Sequence, residues 1–305
     1  MRKCSDWSNR NASGALSVSI GNGSKASGYG ATAFGSNANA TGNHSLSIGT
    51  FAFTSGNQSI AIGQLANASN EYATALGSYA KAYGNRSTAV GTGSIASGEH
   101  SNAFGYGANS TAQDSTTIGT RSNATVNGSI AMGNYSISSG EDATAIGSIS
   151  NASGVSSIAM GTAARSSDTS ATAIGTKASC LSSTAVGTNA SASASAITAT
   201  AIGALANASG VAATALGTSA NASGASATAV GTNADASGTA SIAFGLNATA
   251  SGATAISIGM DSTVANTNTV ALGNNITSTQ DNSVVLGNNS TDRAATAETQ
   301  QPFQV

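Results

Sequence analysis

The stretch Ser59-Ile-Ala-Ile-Gly-Gln-Leu-Ala-Asn-Ala-Ser-Asn-Glu-Tyr-Ala-Thr-Ala-Leu-Gly77 decides the fold, because Ile62-Gly63 returns as Leu76-Gly77 after fourteen residues. Read outward, the same step of fourteen joins Ile20, Phe34, Ile48, Ile62, Leu76, Val90, Phe104, Ile118, Met132, Ile146, Met160 and Ile174, each followed by Gly. Val186 comes twelve residues later and Ile202 sixteen after that, so the two irregular steps restore the phase. The period then continues through Leu216, Val230, Phe244, Ile258, Leu272 and Leu286, which completes twenty copies. Such an internal period is the mark of a stacked repeat architecture.

Within a copy the pattern alternates with period two, which is the strand period. The residue before the Gly is large and apolar, and the third before it is mostly β-branched, as at Val18, Ile60, Thr74 and Ile130. The second and fourth before it are small, as at Ala61 and Ser59. Three and five residues after the Gly stand Ala or Ser again, as at Ala66 and Ala68, with Asn67 between them. A second Gly often follows, as at Gly28, Gly42, Gly84 and Gly98, where a turn calls for positive φ or close backbone approach. Each copy therefore reads as strand, turn, strand, turn. Stacked copies make an all-β parallel solenoid of two sheets, about twenty coils and roughly 95 Å long at the usual strand spacing. The expected core sets the twenty large residues of one sheet against the Ala column of the other. The Thr column (Thr74, Thr88, Thr144, Thr172, Thr200, Thr214, Thr228) would then point inward with them.

Composition without order would suggest disorder: 305 residues carry 7% charged and 4% aromatic side chains, with 37 Gly and one Pro. A net charge of -2 and scattered Lys and Arg provide no footprint for nucleic acid or an anionic membrane. No segment is long and apolar enough to insert in a bilayer, and Met1-Arg-Lys-Cys-Ser-Asp-Trp7 has no apolar signal run. Charges avoid the four positions before the Gly; Lys25, Lys81, Arg165 and Asp235 fall four after it, while Glu71, Glu99, Glu141, Arg121 and Lys177 fall in turns. The second sheet is thus expected to face water. The first sheet, uncharged on both faces, is expected to present its outward Ala/Ser surface to another subunit.

The recurring Ser/Thr-x-Ala-Ile-Gly-x-x-Ala-x-Ala-x-Gly, seen at Ser59–Gly63 and Thr214–Gly217, resembles the head repeat of YadA-like trimeric autotransporter adhesins over about residues 14 to 293. The resemblance implies a left-handed parallel β-roll, a parallel homotrimer, and attachment of bacteria to host matrix, cell surfaces, glycans or one another from an extracellular, surface-anchored position. Residues 1–13 and 294–305 are expected to be tails, without a neck motif, heptad stalk or anchor after Arg293. The alternatives are a structural fibre of a phage or virus and an ice-binding solenoid, whose signature would be thermal hysteresis.

No enzyme, cofactor or metal is expected. Gly21-Asn-Gly-Ser-Lys25 matches no phosphate loop, and Gly21 is the repeat glycine. His44 and His100 lie four coils, roughly 19 Å, apart, too far to hold one metal. In a trimer the copies of either His would share a level, which leaves an axial anion or metal site open. Cys180 stands in a column of small residues and Cys4 before the first coil, so a bridge between them is not expected. Sequons at Asn39, Asn67, Asn123, Asn151, Asn207, Asn221 and Asn247 follow from the preference of the outer strand for short polar residues, and Asn ladders can bond along the stack. Phe51, Leu65 and Tyr79 share one turn column in three consecutive coils, with Phe53 and Tyr83 on the neighbouring outward strand. They form either an adhesive patch or the filling of a groove between subunits.

Overall fold

The computed structural model describes residues 9–176, 179–180, 183–193 and 198–292. Cys4, Lys177 and the side chain of Cys180 lie outside the described residues. The chain divides into two units, Met1–Lys177 and Ala178–Val305. Each is built from the same coil, a three-residue strand ending just before the repeat Gly and a two-residue strand starting four residues after it. The first unit has twelve of the longer strands, from Val18–Ile20 to Thr172–Ile174, and the second has eight, from Thr184–Val186 to Val284–Leu286. Every described residue lies in a strand, turn, bend or irregular segment, and none is helical.

Pairing is parallel and in register with the period. Thr74, Ala75 and Leu76 face Thr88, Ala89 and Val90 in one sheet, and Lys81 and Ala82 face Ile95 and Ala96 in the other. The ladder begins at Asn11–Ala12, paired with Lys25–Ala26, inside the stretch assigned to the N-terminal tail. The irregular copies are absorbed in the second turn. Only three residues separate Cys180 from Thr184 and seven separate Ala192 from Thr200, yet Ser179 still faces Ser191 and Thr184 still faces Thr200.

The sides of the strands are the reverse of the expectation. Ala61, Ala75 and Ala89, two before the Gly, are 0% exposed, as are Ala66, Ala68, Ala80 and Ala82 of the other sheet, and these alanines form one cluster. The core is small residues packed on small residues. The large residues expected there face outward, from Ile20, Phe34 and Ile48 to Phe244, Leu272 and Leu286. None is buried, and Phe34 is 51% and Leu286 63% exposed. The Thr column follows them, with Thr74, Thr88, Thr144, Thr172, Thr200, Thr214 and Thr228 half-buried on the outer side. The reason is the width of the coil. Sheets packed through large side chains stand about 10 Å apart, whereas turns this tight bring the two strands of a coil so close that the interior holds mostly methyl and hydroxymethyl groups, with Thr54, Thr117, Val264 and Ile276 among the exceptions. Many of the hydroxyls find partners within the same turns: Ser59 Oγ donates to the Gly56 carbonyl at 2.7 Å and Ser87 Oγ to that of Gly84 at 2.7 Å, whereas those of Ser45, Ser47, Thr54 and Ser241 are buried without one.

Both turns carry a left-handed residue, two and nine positions after the repeat Gly. Phe51, Leu65 and Tyr79 have φ of 57°, 56° and 60° in the first turn, and His44, Tyr72 and His100 have 55°, 57° and 56° in the second. A non-Gly residue there costs about 1–2 kcal/mol, and a ladder bond offsets it: Leu65 N donates to the Thr50 carbonyl at 2.9 Å and Tyr72 N to that of Asn57 at 2.9 Å. The repeat Gly is required for another reason. Gly63 has φ 135°, and a Cβ on it would strike the backbone of Gly77. The second Gly, exemplified by Gly84, is not at positive φ; a Cβ there would strike the carbonyl of Gly98, so close approach alone selects it.

Candidate functional site

Three surfaces follow from this cross-section. The first is the outer face of the longer-strand sheet, where the column from Ile60 to Val270 with its threonines and the column of large apolar residues run side by side. No charged side chain occurs in either column. Within each unit it is a continuous apolar face of the kind that soluble chains rarely leave in water. The outward surface of that sheet, expected to be Ala and Ser, is made of the large residues instead.

The second surface is the first-turn edge. Phe51, Leu65 and Tyr79 stack there in successive coils and are 52%, 38% and 50% exposed. Phe53 begins the adjoining strand Phe53–Thr54, between Asn39 and Asn67, and is half-buried. Tyr83 is not on the strand. It follows Lys81–Ala82 and leads into the second turn, where its carbonyl accepts a hydrogen bond from the Asn70 side chain. Four of the five residues therefore share one edge, and Tyr83 stands at the far end of its strand.

Further along that edge lies a cluster that the pattern of apolar residues did not single out. Arg121 Nη1 donates to the Tyr135 hydroxyl at 2.9 Å, and its guanidinium sits 5.6 Å from the Tyr135 ring and 5.9 Å from the Tyr106 ring. The hydrogen bond to Tyr135, with the charge interaction of both phenols, raises the Arg121 pKa above its ordinary value. Tyr135 lies beside Ile137 and Ile149 in a groove of ≈ 400 Å³. The signal in the sequence was the shared column of Arg121, Tyr135 and Ile149, fourteen apart.

The family model for the YadA head domain repeat matches residues 12–178, 194–234, 236–262 and 265–290 in overlapping segments. The chain belongs to the YadA head family. Residues 179–193, which hold the shortened coil, fall between two matched segments. No curated protein matches the chain. Among solved structures, the collagen-binding domain of the Yersinia adhesin YadA is similar at 24% identity, over 54% of this chain and 69% of that one, with a TM-score of 0.24.

Many of the remaining polar groups of this YadA-type head have structural partners, although Oδ1 of Asn39, Asn67 and Asn151 is buried without one. The Asn column forms ladders: Asn207 Nδ2 donates to Asn221 Oδ1 at 2.9 Å, Asn221 to Asp235 at 2.9 Å and Asn109 to Asn123 at 3.0 Å. Lys25 lies in the strand Lys25–Ala26, which gives it no helix-borne phosphate loop. His44 packs edge-on against Tyr29 with ring centroids 5.3 Å apart, and His100 Nδ1 meets Asp114 Oδ1 at 3.1 Å. Among the described residues no three His, Cys, Asp or Glu side chains converge as metal ligands do.

Asp292 closes the last of the described coils. Its carboxylate accepts from Ser283 Oγ at 2.6 Å, Thr279 Oγ1 at 2.8 Å and Gln280 N at 2.9 Å, and also from Thr279 N. Desolvation pushes the pKa up, but the bonds from Ser283, Thr279 and Gln280 outweigh it and hold the group at about 2, below its usual 3.8. A depressed folded-state pKa means that the cap contributes fully above the unfolded value and is lost as pH falls from about 4 through about 2. Hydrogen exchange is expected to show the Thr279 and Gln280 amides losing protection over that window. In Asp292→Ala the two amides should be unprotected at neutral pH as well; protection that survives in the variant would remove the capping role.

Proposed function

We propose that the chain is a non-enzymatic adhesin head that acts as a parallel homotrimer of left-handed β-rolls and attaches bacteria to host matrix, cell surfaces or other bacteria. Membership of the YadA head family supports the attachment role, and the apolar outer face of the longer-strand sheet supports the assembly. That face offers one occupant of matching shape and chemistry, the same face of further copies, because parallel chains around a common axis would repeat each contact at every coil. The single observation that carries the proposal is the outward direction of the large apolar column. Many identical coils then bind an extended partner weakly at each point and strongly in sum. On this account the protein works extracellularly at the bacterial surface. The same face, with its half-buried threonines, is occupied by subunits and so unsuited to ice. The virion-fibre alternative predicts the same trimer without attachment.

Light scattering of the purified chain should give three times 29.1 kDa, and trimers should adhere to a matrix-coated surface. A monomer in solution would overturn the assembly, and non-adherent trimers would overturn the attachment. We assign the turn column Phe51, Leu65 and Tyr79, with Phe53 and Tyr83, to one of two roles, the edge of the subunit groove or an adhesive patch. Phe53→Ser with Tyr83→Ser decides between them. Adhesion lost at unchanged trimer melting assigns the patch, while adhesion kept with a lowered melting temperature assigns the groove.

A further inference from the structure

We propose that the groove at Tyr135 is a binding site for a linear acidic glycan. It crosses three successive coils along the first-turn edge and the outer side of the two-residue strands, lined by Tyr135, Ile137, Ile149, Asn151, Ala163 and Arg165. It is separate from the patch at Phe51 and from the apolar face assigned to assembly. The proposal deepens the attachment reading by naming a ligand class for one surface.

Three observations define the occupant. Tyr135, Ile137 and Ile149 leave 46%, 40% and 61% of their surface exposed, which provides an apolar wall for the C–H face of a pyranose ring. Arginines stand toward both ends: Arg165 lines one, and Arg121, outside the lining, is held beside the other by its bond to the Tyr135 hydroxyl at 2.9 Å. They are three coils, about 14 Å, apart along the stack. No carboxylate lines the groove. Glu141 and Asp142 of the same stretch belong to the second turn, at the opposite edge.

Periodicity favours a glycan over a peptide. Coils repeat every 4.8 Å or so, close to the rise of one hexose in an extended chain, so a glycan laid along the stack meets an equivalent ledge with each sugar. An extended peptide rises about 3.4 Å per residue and falls out of step. Anionic groups two or three sugars apart then reach Arg121 and Arg165, whose guanidinium N–H groups donate charge-assisted hydrogen bonds to carboxylate or sulfate. Uronate and sulfate share this chemistry.

The test is titration of the full chain with three octasaccharides: heparin-type sulfated, hyaluronan-type carrying uronate alone, and a neutral cello-oligosaccharide. Binding of an acidic glycan above the neutral one is expected, and whichever acidic one binds names the anion. Arg121→Asn, Tyr135→Asn and Arg165→Asn should each weaken it about tenfold, as loss of a charge-assisted or stacking contact implies. The replacements suit the fold, because Asn occupies the same two columns at Asn37, Asn233 and Asn151, and unchanged melting will verify it. The proposal is overturned if neither acidic glycan binds, if the neutral one binds equally, if the three substitutions leave affinity unchanged, or if an acidic peptide binds more tightly than the glycan. Attachment of whole trimers is scored separately. Its absence in the wild type would remove the adhesin reading without touching the titration.

Discussion

Replacing Ile62, Val90 and Ile118 by Lys is expected to turn the proposed trimer into monomers that keep their β-structure. All three point outward from the longer-strand sheet and are half-buried or exposed in the single chain, so lysine leaves the coil interior untouched. They stand in alternate coils, which keeps the added charges from stacking directly, and the stems can lie along neighbouring apolar side chains. Between subunits the effect is opposite. Burying a large aliphatic side chain contributes about 1.5–3 kcal/mol, and each subunit would lose three such contributions while bringing unpaired ammonium groups into an apolar contact. Desolvating each costs several kcal/mol. Light scattering should therefore fall to a single-chain mass while far-ultraviolet circular dichroism keeps its β form. Loss of the β signal would instead mean that the column is core, and a surviving trimer would place the interface elsewhere.

Ala75→Leu should be more damaging to the chain itself than any substitution on that outer face. Ala75 is fully buried between Ala61 and Ala89 in the ladder, with Ala80 and Ala82 in the same cluster. Three added carbons have no space unless the coil widens, and its neighbours above and below would have to widen with it. Overpacking typically costs 1–3 kcal/mol, and we expect about 3 kcal/mol here, read as a lower urea midpoint. Ala75→Ser is the control. The column already holds Ser47, which like a serine at 75 has an alanine five residues on and whose Oγ is buried without a partner, so serine should cost about 1 kcal/mol, clearly less than leucine. Equal destabilisation by serine and leucine would mean that volume is not what the site restricts.

These two expectations show what the sequence contains and what it hides. Period, strand placement, parallel register and both turns were legible because each rests on a local requirement, as the glycine-only φ of Gly63 illustrates. Orientation was not. Alternation sorts Leu76 and Ala75 to opposite faces without saying which is inside, and the general tendency of large apolar residues to be buried pointed the wrong way. The deciding signal lay in the variance of size. The inward columns hold almost nothing larger than Thr, with Val264 and Ile276 among the few exceptions, while the outward column ranges from Val90 to Phe104. A space of fixed width demands uniformity, and a surface does not. The aromatic edge was legible as a column of Phe51, Leu65 and Tyr79, but Tyr83 was placed too near it because the strand ends at Ala82. The Arg121 cluster escaped because its members are unremarkable singly and meet only when copies are superposed.

The two-residue deficit between Cys180 and Thr184, made good by the longer connection between Ala192 and Thr200, leaves Ser179 paired with Ser191 and Thr184 with Thr200. That corner tolerates length changes that a rung would not. Foreign peptides could be grafted there for display, and natural variants that alter this corner could change what antibodies meet without disturbing the scaffold beneath.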